Sequence, residues 1–190
     1  MIRTMIFIDG TWLWHNIMTK DYGRLDFSKI ISKSLTHIFP KGGYTLNGVI
    51  FSASQPINVD PVDAQFVDKK KVFFEALEKK CGFVLDIHDI DFHGRRLYKS
   101  KRSEEDTWKP KEKCVDISIA SNIFYYAAKD EYDVAIIMTG DRDFLPTFRK
   151  INKLGKVVVL VSMGGSCSHK LSNEYPTLFL DTYLDQCSLE

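Results

Sequence analysis

The strongest constraint on the fold comes from two almost purely apolar runs, "DVAIIMT" (133–139) and "KVVVLVS" (156–162). Unbroken Val, Ile and Leu, rather than an alternation with polar residues, are typical of parallel strands that helices cover on both faces. Three further runs of strand length, "MIFI" (5–8), "LNGVIFSA" (46–53) and "FVLDI" (83–87), are separated by segments of helical period. This pattern predicts an α/β fold, a three-layer α/β/α sandwich with a mainly parallel sheet.

Helices are predicted over 27–39, 61–81, 114–129 and 143–154. The region around 88–112 is predicted to be an insertion: a β-hairpin with its turn at His93-Gly94, followed by a mobile polar loop. From Arg95 to Lys113 there are eight basic and four acidic residues, with Tyr98 and Trp108 among them. Because the formal net charge is only +1, nucleic-acid binding would need a local basic segment such as this one. A merely solvated loop is the alternative.

The length of 190 residues, 44% of them hydrophobic, predicts one domain over 1–190. No apolar run approaches the roughly 20 residues that cross a bilayer, and "MIRTMIFIDG" is too short for a signal peptide. A cytoplasmic protein without membrane contact is therefore expected. The four cysteines form no C-x-x-C pair, which argues against a zinc knuckle or a disulfide framework.

Acidic side chains follow the predicted strands. Asp9 comes directly after "MIFI", Asp141 and Asp143 follow "AIIMTG", and Asp116 lies in the first turn of a helix that begins near Lys113. In open parallel sheets the carboxyl ends of strands share one edge, so these carboxylates are expected to crowd each other. Two such charges 4 Å apart repel by roughly 4 kcal/mol at an effective dielectric of 20. Mg²⁺ or Mn²⁺ would relieve that repulsion, because the set offers only hard oxygen ligands.

A simpler interpretation exists for the third strand end. Gly140 would provide the turn, and Asp143 would be the N-cap of the following helix. Capping and metal binding are compatible with each other.

The residues around these acids resemble a known family. The segments "IFIDGTW", "KCVDISIASN" and "MTGDRDFLPTFRKINKLGKVVVLVS" are similar, in order and spacing, to the three signature segments of the NYN domain, a branch of the PIN-like metal-dependent ribonucleases. The similarity spans about 5–180. It implies that RNA is cut by metal-activated water, with Mg²⁺ or Mn²⁺ as cofactor. The catalytic and metal-binding residues that it implies are Asp9, Asp116, Asp141 and Asp143.

The expected function is therefore endoribonucleolytic hydrolysis of single-stranded or structured RNA, with tRNA and homo-oligomer formation left open. Two positions depart from the family pattern: Thr11 replaces a common Asn, and Asn122 replaces a frequent Asp. They keep open an alternative, an NYN-fold RNA-binding or regulatory module that cuts poorly. The expected substrate-binding residues are Thr11, Arg95, Arg96, Lys113, Asn122, Thr139, Arg142 and Ser162.

Other motifs suggest different chemistry. "FIDGT" resembles the opening motif of haloacid dehalogenase phosphatases, but Phe7 stands where their nucleophilic Asp is required, which excludes that chemistry. No P-loop occurs; the glycine pair in "MGGSCSH" (163–169) is either a phosphate contact or a plain loop. Trp12 and Trp14 are candidates for base stacking, although two residues apart on a helix they cannot face the same way.

A second metal site is the remaining alternative. His88, Asp89, Asp91 and His93 are of ligand type, but strand alternation sends odd and even positions to opposite faces, which argues against a shared ion.

Overall fold

The structure, a computed structural model, describes residues 1–18, 24–111 and 114–189. Its centre is one sheet of six parallel strands in the order β3-β2-β1-β4-β5-β6. The five predicted strands are confirmed; the sixth has only three residues, too few for a periodicity to appear. The strands are β1 (Ile2–Asp9), β2 (Tyr44–Ile57), β3 (Val84–Asp91), β4 (Val134–Met138), β5 (Val157–Ser162) and β6 (Thr177–Phe179).

Helices cover both faces of the sheet, which confirms the three-layer prediction. They are α1 (Gly10–Met18), α2 (Phe27–Ile38), α3 (Ala64–Cys81), α4 (Val115–Ala128), α5 (Leu145–Lys153) and α6 (His169–Glu174). Alternate residues of β1 enter two separate cores. Ile6 and Ile8 pack with residues of α1, α2 and α3, whereas Met5 and Phe7 pack with residues of α4, α5 and α6. None of the helices in the described ranges has the length and apolarity needed to cross a membrane.

The strand order reverses between β1 and β4. From β1 the chain moves outward to β2 and β3, and α4 then carries it back to the other side of β1, where β4 begins. In the β1–β4 pair, Ile8 lies opposite Met138, so Asp9 and Thr139 come next to each other at the carboxyl ends. Ligands bind in the crevice at such a reversal point, because the flanking loops diverge there.

The prediction of a β-hairpin around 88–112 was wrong. The turn at His93-Gly94 exists, and both residues have positive φ, but no returning strand follows in residues 95–111. The backbone N–H of Arg95 donates to the carbonyl of Phe92, and the Arg95 carbonyl accepts from the backbone N–H of Asp60. This stretch therefore packs beside the end of β2 rather than beside β3. The rest of the segment folds around Trp108, whose ring lies 5.4 Å from that of Phe92. The alternation that suggested a hairpin therefore reflects packing on this tryptophan.

Candidate active site

Asp9 is the buried acid at the reversal point. It ends β1 and only 5% of it is exposed. Its Oδ1 accepts a hydrogen bond of 2.9 Å from the backbone N–H of Trp12, in the pattern of a helix N-cap for α1. Its Oδ2 accepts a hydrogen bond of 3.1 Å from Thr139 Oγ1 on the neighbouring strand end. The carboxylate is thus held by two elements and directed into the crevice between β1 and β4.

Thr139 links Asp9 to Asp141. Its hydroxyl oxygen also accepts a hydrogen bond of 3.2 Å from the backbone N–H of Asp141. Asp141 Oδ1 in turn accepts from the N–H of Asp143 at 2.9 Å, which makes Asp141 the cap of a short 3₁₀ turn, Arg142–Phe144. The simpler interpretation of Asp143 as the N-cap of α5 is wrong, because this turn intervenes before α5 begins. Asp143 is exposed within that turn.

Gly140 allows the loop after β5 to close over this turn. A Cβ atom at Gly140 would lie 2.0 Å from the carbonyl oxygen of Ser166 and 2.7 Å from Nε1 of Trp12, so no larger residue fits without movement. The N–H of Ser168 bonds to the Gly140 carbonyl at 3.0 Å. In the same loop, the Gly164 N–H donates to the Asp181 carboxylate. That contact agrees with the plain-loop interpretation of the glycine pair.

Three buried polar atoms around this turn have no hydrogen-bond partner among the residues that the structure describes: Trp12 Nε1, Ser162 Oγ and Ser166 Oγ. Two of these residues, Trp12 and Ser166, lie beside Gly140. The third belongs to Ser162, which ends β5 one residue after the partner of Met138. Buried polar atoms are normally paired, so orphans that gather at one place fit a site that receives a polar ligand.

Asp116 lies in the first turn of α4 and is exposed. Within residues 1–18, 24–111 and 114–189, no three Asp, Glu, His or Cys side chains lie close enough to hold a metal ion together. The four aspartates therefore do not form one compact ligand group; Asp9 and Asp141 are the two joined through Thr139. Mg²⁺ is commonly bound by one or two carboxylates, with waters and substrate phosphates completing the shell. The oxygen donors at this edge, including the orphaned hydroxyls of Ser162 and Ser166, fit an ion of that kind.

Sequence analysis missed Asp86, a polar residue on the same face of the sheet. The register places Asp9, Ser52 and Asp86 side by side on β1, β2 and β3. Asp86 Oδ2 accepts hydrogen bonds from Ser52 Oγ (2.9 Å), Ser118 Oγ (2.7 Å) and Asn122 Nδ2 (3.0 Å). Asn122, expected to contact substrate, thus faces a carboxylate of its own chain. The signal in the sequence was the single acid inside the run "FVLDI".

The other expected substrate-binding residues lie around this edge. Thr11 is half-buried in the first turn of α1, and Arg142 is exposed next to Asp141. Lys113 lies outside the described residues. Trp14, one of the two candidates for base stacking, packs against Phe73 with the ring centres 5.3 Å apart.

Two arginines of the basic segment are engaged within the chain. Arg96 donates two hydrogen bonds of 2.9 Å to Asp63, whose side chain is only 1% exposed. This pairing lowers the pKa of Asp63 and raises that of Arg96. Arg95 stacks on Trp108 at 5.2 Å from the ring centre and lies 3.4 Å from Asp106. Their guanidinium groups therefore organise the segment.

The same segment borders a cavity of ≈ 600 Å³ beside the end of β3. The residues of the alternative metal site do not all share one face of the strand, as strand alternation predicts. His88 Nε2 lies 3.2 Å from Asp86 Oδ1, whereas Asp91 lies beside His93. Exposed lysines remain on the cavity wall. Its lining residues are Asp89, Ile90, Asp91, His93, Thr107, Trp108, Lys109 and Lys111.

Comparisons with known proteins agree with this fold. A protein of unknown function from Vibrio parahaemolyticus RIMD 2210633, VPA0982, has a similar crystal structure with a TM-score of 0.59. The two chains share 14% sequence identity, and the match covers 94% of this chain and 91% of the other, so the likeness shows the fold. The comparison with curated proteins found no match. The family model of the NYN domain matches residues 3–181, and the chain therefore belongs to the NYN domain family of PIN-like nucleases.

Proposed function

We propose that this chain is a divalent-metal-dependent endoribonuclease whose site lies between the ends of β1 and β4. The observation that carries the proposal is the hydrogen-bonded series Asp9–Thr139–Asp141 at the point where the strand order reverses. Membership of a nuclease family supports hydrolysis of a phosphodiester. Mg²⁺ or Mn²⁺ is the proposed cofactor, because the side chains at this edge are oxygen donors.

Asp9 and Asp141 are the proposed ion-holding carboxylates, with Asp116 and Asp143 completing the acidic edge. When bound, such an ion supplies Lewis-acid activation of water and neutralises charge on the phosphate. The chain itself provides orientation. The Thr139 hydroxyl fixes Asp9, and the burial of Asp9 keeps solvent from its carboxylate. Because Thr139 also accepts from the Asp141 backbone, the two acids keep a constant spacing.

RNA binding is assigned to cations at the rim of the site. Arg142 is exposed in the turn that carries Asp141 and Asp143. Its positive charge reduces the repulsion between these two carboxylates and a phosphate of the RNA. Lys109 and Lys111 are exposed on the segment beside β3. Arg95 and Arg96 act indirectly in this proposal, because their ion pairs and ring contacts hold that segment in place.

A cleavage assay with metal and chelator tests the proposal. Wild-type protein is expected to cleave RNA with Mg²⁺ or Mn²⁺ and to stop when a chelator is added. Asp141→Asn should lose at least about a hundredfold in rate, the scale of losing one preorganised charged group. Asparagine caps helices as well as aspartate does, so the fold should persist. Asp68→Asn, on the exposed face of α3, is the matched control and should cleave normally. Full activity of Asp141→Asn would refute the assignment.

A second function, an RNA-binding module that cuts poorly, is favoured by one observation: the described residues contain no group of three metal-ligand side chains. Gel-shift measurements separate the two functions. Binding that a chelator leaves unchanged, without cleavage products at any metal concentration, would support the module.

A further inference from the structure

Asp86 is a carboxylate with three hydrogen-bond donors that the proposed mechanism does not use. Its Oδ2 receives three donors, one from β2 and two from α4, at 2.7–3.0 Å. Its Oδ1 lies 3.2 Å from Nε2 of His88, and its side chain is 23% exposed. Because its Oδ2 bonds to both β2 and α4, this carboxylate is suited to hold α4 rather than to ligate an ion.

The geometry of α4 shows what such a contact controls. The helix buries Val115, Ile119 and Ile123 against the sheet. At about 100° per residue, Ser118 and Asn122 fall on one side of this buried stripe and Asp116 falls on the other. The Ser118 side faces β3, because both of its polar residues bond to Asp86. Asp116 therefore lies on the side toward β1 and α5, where Asp9 and Asp141 are.

The charges at positions 86 and 122 also point to Asp86. Asn122 donates its amide to Asp86 at 3.0 Å, so the two side chains form one acid–amide pair. An acid at both positions would place two carboxylates in contact, which would force one of them to take up a proton. Asp86 on β3 thus supplies the negative charge that position 122 lacks.

We propose that Asp86 is a positioning residue that, through Ser118 and Asn122, fixes the rotation of α4 and thereby directs Asp116 toward Asp9 and Asp141. This inference rests on the proposed nuclease function. It makes Asp86 on β3 and Asn122 on α4 one coupled pair, in which the carboxylate accepts and the amide donates.

An exchange of the two residues tests the inference. The variants are Asp86→Asn, Asn122→Asp and the double variant D86N/N122D. Asp86→Asn removes the charge and replaces an acceptor by a donor, whereas Asn122→Asp creates a pair of facing acids. The double variant restores one acid and one amide, and the hydroxyls of Ser52 and Ser118 can turn to donate or accept. Asp68→Asn, an exposed acid on α3 away from both candidate metal sites, is the matched control.

The readouts are Mn²⁺ affinity without RNA, thermal unfolding in chelator, and cleavage rate. Each single variant is expected to lose about tenfold or more in Mn²⁺ affinity, the usual effect of removing a residue that orients a metal ligand. The double variant should recover to within about threefold of wild type, because a coupled pair is non-additive. Asp68→Asn should match wild type.

Two results would overturn the positioning role while wild type binds Mn²⁺ and cleaves RNA. The first is wild-type affinity and rate in Asp86→Asn. The second is a double variant no better than the worse single variant, or a loss confined to thermal unfolding. Wild type that neither binds Mn²⁺ nor cleaves is a different failure, since it removes the proposed function and this inference with it.

Discussion

Thr139 Oγ1 donates a hydrogen bond of 3.1 Å to Asp9 Oδ2, joining residues 130 positions apart in the sequence. The contact spans the two strands between which the order of the sheet reverses. It occurs where both residues are almost inaccessible to solvent. A buried carboxylate is costly unless its oxygens are hydrogen-bonded, so Thr139 helps to stabilise and orient Asp9.

Removal of this hydroxyl should impair both the site and the fold. Thr139→Val keeps the shape but leaves Asp9 Oδ2 and the Asp141 N–H without this partner, so we expect a stability loss of about 1–3 kcal/mol. Cleavage should fall by about 10–100-fold, as for other residues that orient metal ligands. Thr139→Ser retains the hydroxyl and is the control. Chemical unfolding and cleavage rates measure both effects; equal behaviour of the two variants would contradict the proposed role.

Gly140 should tolerate no side chain. In Gly140→Ala the new methyl group would meet the Ser166 carbonyl and the Trp12 indole, and the backbone carbonyl cannot move away as a side chain could. Such overpacking typically costs about 1–3 kcal/mol. Gly165→Ala is the matched control, because a Cβ there has no heavy atom within 4 Å. Thermal unfolding distinguishes them, and similar midpoints for the two variants would show that the loop after β5 does not pack on this turn.

The exposed lysines beside β3 should bind RNA through its phosphates. The double variant K109A/K111A is expected to weaken binding and to flatten its dependence on salt, by about 0.7 in logarithmic slope for each phosphate of a single strand that is no longer neutralised. K79A/K80A, at the end of α3 and so near the amino end of β3 rather than its carboxyl end, is the control. Binding titrations at several salt concentrations provide the measurement. An unchanged slope in K109A/K111A would place the RNA elsewhere.

The Asp63–Arg96 ion pair should make stability depend on pH in acid. Arg96 lowers the pKa of Asp63 below its ordinary value of 3.8. The contribution of the charged Asp63 is therefore fully present above about pH 4–5 and declines as the pH falls toward the lower folded-state pKa. At pH 7, Asp63→Asn should cost about 3 kcal/mol, because it leaves a partly buried arginine without its counter-charge.

Denaturant unfolding of wild type and Asp63→Asn between pH 7 and pH 3 checks this expectation. The difference in unfolding free energy should shrink below pH 4, whereas Asp68→Asn, an exposed acid, should differ little from wild type at any pH. A gap that persists unchanged at pH 3 would contradict the ion-pair origin.

The architecture was predictable because unbroken Val, Ile and Leu runs leave few options other than buried parallel strands. The same rule placed Asp9 and Asp141 at one edge, and the structure joins them through Thr139. What periodicity cannot show is how chain segments that are remote in sequence pair. The contacts of Asp86 could not be predicted from the sequence, because its three partners come from β2 and α4.

In the insertion beside β3, by contrast, the sequence pattern predicted a strand that the structure does not have in residues 95–111. Alternating polar and apolar residues around His93-Gly94 predicted a returning strand, but Phe92 and Trp108 pack on each other and Arg102 donates to three carbonyls of the same segment. Local alternation cannot distinguish strand pairing from packing on one aromatic ring. The alternative interpretation of Asp143 as an N-cap is wrong because a 3₁₀ turn, which leaves no mark on the hydrophobic period, precedes α5 and has Asp141 as its cap.

The most direct measurement is an anomalous difference map from crystals soaked in Mn²⁺. We expect a peak within about 2.1 Å of carboxylate oxygens of Asp9 and Asp141, the usual distance for a small hard cation. Its intensity should vanish in the Asp141→Asn variant and persist in Asp68→Asn. A map without density between the ends of β1 and β4, or with a peak only beside Asp91 and His93, would contradict a metal-dependent site at the reversal of the sheet.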